Sequence, residues 1–158
     1  MDFFTHPPSY EFSRNQAARY RFRSEGPRSI EKIVEFTPTT FKNIFNLAFG
    51  DLLPDGTIDD IATSNNGDIA KVLSTVVKIL DDFTTRYPRA TVYFAGSTAQ
   101  RTRLYGRIIK TYHSLFKSQF DITVIIKGGG ENGYRQLVFD PLKNLDYIAF
   151  LIKRICLT

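Results

Sequence analysis

From Arg19 the chain alternates with a period of two: Arg19, Arg21 and Arg23 interleave with Tyr20, Phe22 and Ser24. Successive strand side chains point to opposite faces of a sheet, so this stretch predicts a strand with one basic face and one buried face. Glu25-Gly26-Pro27-Arg28 is a turn signal, and Ile30 to Thr37 predicts the returning strand, which Pro38 ends. Phe41 to Leu53 is a second apolar run. Pro54-Asp55-Gly56 is a tight turn by its residue chemistry, and Thr57 to Thr63 pairs back. Two successive hairpins predict an antiparallel meander. Residues 1–13, interrupted by Pro7-Pro8, predict an extended N-terminal arm.

The period then changes. Ser64-Asn65-Asn66-Gly67-Asp68 is a loop ending on an N-cap residue. Ile69, Val72, Leu73, Val76, Val77, Leu80 and Phe83 follow at helical spacing, and Tyr87-Pro88 stops the helix. Thr91 to Ala95 predicts a short buried strand. Gly96-Ser97-Thr98 turns it into a helix over 98–116, with Leu104, Ile108, Ile109, Tyr112 and Phe116 as its apolar stripe. Phe120 to Lys127 and Tyr134 to Phe139 predict paired strands around Gly128–Gly133, a glycine-rich segment expected to be a mobile loop. Asp140-Pro141 supplies cap and first residue for a last helix, with Leu142, Leu145, Ile148, Ala149, Ile152 and Ile155 along one face. The order ββββα–βα–ββα predicts one α+β domain over residues 1–158, an antiparallel sheet with about three flanking helices.

Composition bounds the function. The 158 residues are 42% hydrophobic, which suffices for one packed core, yet no run of about 18 apolar residues exists to span a bilayer. The N-terminal MDFFTHPPSYEF has neither the basic nor the apolar region of a signal peptide, so the expectation is a soluble cytoplasmic protein without membrane contact. Cys156 is the sole cysteine, which excludes an internal disulfide and a cysteine-built zinc site. No cofactor or metal motif is present.

The sharpest local feature is Phe94-Ala95-Gly96-Ser97-Thr98-Ala99-Gln100-Arg101-Thr102-Arg103-Leu104-Tyr105. A strand delivers the chain through a glycine turn onto a helix start, whose unpaired N–H groups favour an anion. Ser97 and Thr98 add hydroxyls; Arg101, Arg103 and Arg107 add cations, with Arg101 and Tyr105 on one face by their i, i+4 spacing. Gly96, Ser97, Thr98, Arg101, Arg103, Tyr105 and Arg107 are therefore the candidate anion or ligand site. The plain alternative is that Ser97 or Thr98 only caps the helix while the arginines are solvated.

Catalytic signatures are missing from this stretch. It lacks the second glycine and Lys-Ser/Thr of a Walker A loop and two of the three glycines of a Rossmann fingerprint. A Gly-Ser opening also suits nucleotidyltransferase folds, but no paired carboxylates follow between Phe83 and Phe120, and Asp121 stands alone. His6 and His113 are the only histidines; His113, next to Tyr112, is expected on the solvated side of its helix. Cys156 is expected to pack, and Asp59-Asp60 and Asp81-Asp82 to lie on the surface. Adjacent carboxylates point apart and make poor metal clamps.

Charge is segregated within a net +5. From Thr84 to Phe120 there are seven Lys or Arg and no acid, whereas Asp51 to Asp82 holds seven Asp against Lys71 and Lys78. Arg19, Arg21 and Arg23 form a secondary basic strand beside Tyr20 and Phe22, a pattern that suits single-stranded nucleic acid if rings and cations share a surface. Alternation argues against that, since it puts them on opposite faces.

The N-terminal Tyr-Glu-Phe, the Phe-Arg-Ser-Glu-Gly strand end, Ile-Glu-Lys-Ile-Val-Glu-Phe from Ile30 and the Gly-Ser-Thr-x-x-Arg-Thr-Arg-Leu-Tyr motif from Gly96 resemble a bacterial domain family of unassigned function. The resemblance covers nearly the whole chain and implies a small stand-alone bacterial protein. It transfers no catalytic residue. The leading expectation is a non-catalytic binding module for a phosphate-bearing partner, foremost nucleic acid. The alternatives are a protein-interaction or regulatory module for an acidic protein, and a small hydrolase or transferase with an anion site at the Gly96 turn.

Overall fold

The computed structural model describes residues 8–15, 18–59, 66–129 and 133–155. Among them one mixed, mostly antiparallel sheet carries three helices, an α+β fold. The meander forms as the turn signals predict. β1 (Phe12–Arg14), β2 (Arg19–Glu25), β3 (Ser29–Pro38) and β4 (Ile44–Leu52) pair successively and antiparallel, so part of the predicted arm is an edge strand. β5 (Ile58–Asp59) returns on β4; the rest of the predicted return strand, 60–63, lies outside the described residues. β2 buries alternate residues, with Tyr20 and Phe22 under the sheet and Arg21 and Arg23 exposed.

α1 (Ile69–Arg86) then crosses the sheet to β6 (Thr91–Phe94), which joins β4 in parallel. This one parallel pair makes the expected antiparallel sheet a mixed one: an 18-residue helix between two strands is long enough to bring the chain back to the same end of the sheet. Phe36 and Phe83 stack at 3.9 Å, fixing α1 to β3, and Tyr20 meets Phe36 edge-on at 5.8 Å. Asp68 precedes α1 but its side chain does not cap it. The Asp68 carboxylate instead accepts hydrogen bonds from Ser24 at 2.5 Å and from the Tyr10 hydroxyl at 2.6 Å, tying the arm and β2 to the helix start.

α2 (Ala99–Thr111) and α3 (His113–Phe116) share the predicted 98–116 helix, broken at Tyr112. α2 lies on the same sheet face as α1. A Cβ on Gly106 would come within 2.5 Å of the Tyr147 ring, so only glycine lets the helix backbone approach this closely. β7 (Phe120–Lys127) and β8 (Tyr134–Val138) match their expected spans. Of the predicted glycine loop, residues 130–132 lie outside the described residues.

The predicted last helix is a strand. β9 (Tyr147–Arg154) runs between β6 and β7, near the middle of the sheet order β1-β2-β3-β4-β6-β9-β7-β8. Asp140 does not start a helix; its Oδ1 accepts the Leu142 N–H at 2.9 Å and closes a turn. Tyr-Ile-Ala-Phe-Leu-Ile is a short continuous apolar run, which fits a helix stripe and an interior strand equally, and its aromatic and β-branched content suits the strand.

Candidate functional site

The turn at Gly96 has the predicted local build. β6 ends at Phe94, and Thr98, extended at φ −133°, caps α2 by accepting the Arg101 N–H on its Oγ1 at 3.1 Å. The Gly96 N–H donates to Thr102 Oγ1 at 3.0 Å, folding the turn against the helix. A Cβ on Gly96 would sit 2.4 Å from Arg101 Cβ, so the turn requires glycine. Ser97, Thr98, Ala99 and Gln100 are exposed, leaving the helix start open to solvent.

Next to this turn is a cleft of about 270 Å³. Its origin is a gap in strand pairing. β6 pairs with Ile44–Asn46 of β4, and β5 pairs with Asp51 and Leu52. Among the described residues no strand pairs with Leu47–Gly50 on that edge. The cleft therefore opens past the carboxyl end of β6, where crevices beside parallel strands commonly take ligands. Asn46, Ala48, Phe49, Ile58, Ser97 and Tyr105 are among its walls, none of which is charged. A smaller apolar crevice, about 70 Å³, shares Leu47, Phe49, Phe94 and Tyr105 with it and runs between α1 and α2.

The predicted site thus divides. Gly96, Ser97 and Tyr105 line the cleft, with the Tyr105 ring 4.7 Å from Phe94; Thr98, Arg101, Arg103 and Arg107 do not line it. Arg101 is half-buried, while Arg103 and Arg107 stand exposed on the outer side of α2. Among the described residues the carboxylate that Arg103 meets is Asp146, at 4.0 Å and itself 76% exposed, a contact worth little in water. The secondary basic strand differs. Arg19 pairs with Glu35 at 2.6 Å and Arg23 with Glu31 at 3.2 Å, while Tyr20 and Phe22 are in the core. Base stacking on those rings is sterically closed.

Other expectations change with packing. Asp81 and Asp82 are not simply surface. Asp81 binds Arg154 of β9 at 2.6 Å, and Asp82 accepts the Tyr20 hydroxyl at 2.5 Å. Burial first, and the Asp82 hydrogen bond second, push the Tyr20 phenol up to about 12. His113 is half-buried against Phe139 at 5.3 Å, and burial followed by Lys117 lowers its pKa. Cys156 and Asp60 lie outside the described residues. Sequence reasoning missed the cleft walls on β4 and β5 because they join the Gly96 turn only through the parallel pairing.

Fold and cleft define an α+β protein with helices on one sheet face and a crevice at the end of a parallel strand pair. The chain belongs to DUF6934, a family of unknown function, which matches residues 6–155. Neither a curated protein nor a solved structure matches the chain. Among the described residues no helix is long and apolar enough to cross a membrane.

Proposed function

We propose that this protein is a bacterial, cytoplasmic, non-catalytic binding module that takes a phosphate-bearing partner, foremost nucleic acid, on the outer face of α2. One observation carries the reading. Arg103 and Arg107 lie one helical turn apart, both exposed, on a helix containing no acidic residue. With Tyr20 and Phe22 buried, β2 offers no stacking platform, so recognition rests on phosphates and is indifferent to base sequence. Fluorescence anisotropy with a labelled single strand and a duplex of equal length tests it. Binding to both at low salt, without preference for the single strand, is the expected result. No binding to either removes nucleic acid from consideration.

A second reading rests on the cleft. Its uncharged walls and apolar extension suit a small neutral ligand with a hydrogen-bonding head and an aromatic body. Benzamide titrated into ¹⁵N-labelled protein should then shift the amides of Phe49, Ala95 and Ser97 saturably. Unmoved amides there would exclude this use of the cleft.

A further inference from the structure

The two edges of the sheet are unlike. β1 is three residues long and its Arg14 lies 3.8 Å from Asp82. β8 is five residues, and among the described residues no strand lies beyond it. Tyr134 and Val138 on β8 are 57% and 79% exposed. Long, apolar, unpaired edges are templates for another strand unless lysine, proline or a bulge protects them. Tyr134-Arg135-Gln136-Leu137-Val138 has one charge and no proline.

The pairing of β8 with β7 determines which backbone groups face outward. The Gly133 carbonyl accepts the Gly128 N–H, and the Phe139 N–H donates to the Ile122 carbonyl. In an antiparallel pair the residues bonded to the neighbour alternate. Arg135 and Leu137 therefore bond inward to β7, in register with Ile126 and Val124. Tyr134, Gln136 and Val138 direct their N–H and C=O groups to the open edge. That makes three donors and three acceptors, spaced evenly about Gln136.

This edge is complementary to itself. We propose that two copies of the chain associate by antiparallel pairing of β8 with β8, about a two-fold axis at Gln136. Gln136 then exchanges two hydrogen bonds with its symmetry mate, and Tyr134 and Val138 exchange two with each other on either side, using all six outward groups. The same register sets the exposed Tyr134 ring beside Val138, a favourable aromatic–β-branched pair. Arg135, the only charge on the strand, falls opposite Leu137 and not opposite its own copy. Charge and register together favour a second copy over an unrelated strand. The contact is isologous, so it uses up both β8 edges and stops at a dimer. A single strand pair is small beside a standard interface, so the dimer is concentration-dependent.

Sedimentation equilibrium from about 10 µM to about 1 mM, a range that spans weak association, should show a monomer–dimer equilibrium. Hydrogen exchange across that range should slow at the amides of Tyr134, Gln136 and Val138 and leave Arg135 and Leu137 unchanged. Gln136→Pro removes an outward N–H and leaves the backbone ladder to β7 intact, losing the Gln136 Nε2 bond to Thr123 Oγ1, and Val138→Lys places a charge on the edge; each should weaken dimerisation at least tenfold. Circular dichroism of both variants checks that the fold is kept. A wild-type protein monomeric throughout overturns the proposal. So does a dimer that both folded variants preserve, or one whose protection falls on other strands.

Discussion

Two basic stripes of this molecule look alike in sequence and differ in what surrounds them. On β2 the neighbouring strand answers two of the three arginines: Arg19 is in register with Glu35 and Arg23 with Glu31, and both pairs close, while the exposed Arg21 faces Ile33. On α2 the nearest charge is weakly placed: Arg103 meets the solvated Asp146 at 4.0 Å, and among the described residues no carboxylate pairs with the exposed Arg107. A strand's charges are read through its register, a helix's through its exposed face. Arg19 and Arg23 of the β2 stripe therefore belong to the architecture, and the α2 stripe is the face proposed for a partner.

The largest effect that separates the two regions is on stability. Tyr20→Ala empties a fully buried site on β2 and should cost roughly 3–5 kcal/mol in denaturant unfolding. Arg103→Ala with Arg107→Ala should change stability by no more than about 0.5 kcal/mol each. A comparable loss from the arginine variants would mean that the α2 stripe is structural after all. Gly106→Val comes next. The added side chain meets the Tyr147 ring, and overpacking of this kind costs about 1–3 kcal/mol, lifting α2 and its basic face off the sheet.

Alkaline titration probes β2 more gently. The Tyr20 phenol is raised from 10 to about 12, by burial and then by Asp82. The folded state therefore holds this proton more tightly than the unfolded chain. Its contribution is complete below pH 10 and is lost as the pH rises towards 12. Tyr20→Phe should flatten the stability profile across that window, measured by urea unfolding at each pH. An unchanged slope would show that the phenol's environment does not govern alkaline stability.

The residues show why half of this contrast was legible. The alternation of β2 fixed which of its faces is buried, and the glycine turn and Thr98 cap of α2 were readable because capping is local. The glutamates opposite Arg19 and Arg23 were visible in the returning strand, but pairing them needs the exact register. The cleft needed more, since the β4–β6 pairing is parallel and spans the whole of α1. β9 escaped altogether because a short apolar run carries no decisive period.

A smaller effect sharpens the comparison in the opposite direction. Removing the glutamates, Glu31→Ala with Glu35→Ala, should cost less than about 1 kcal/mol for the solvated Arg23–Glu31 pair and more for the half-buried Arg19–Glu35 pair. It should also free Arg23 and leave Arg19 on the Gly56 carbonyl, so that nucleic-acid binding strengthens and its salt dependence steepens. If binding is indifferent to the loss of both glutamates, register is not what silences β2.

The most direct measurement is the salt dependence of anisotropy-detected binding for the wild type beside the Arg103→Ala, Arg107→Ala double variant. Neutralised phosphates release counterions, so log affinity should fall linearly with log salt, by about 0.7 per phosphate on a single strand and about 0.9 on a duplex. The α2 face predicts a slope shallower by one to two phosphate units in the double variant, with folding unchanged. Wild-type binding whose slope the double variant leaves intact, or no binding at low salt, would contradict it.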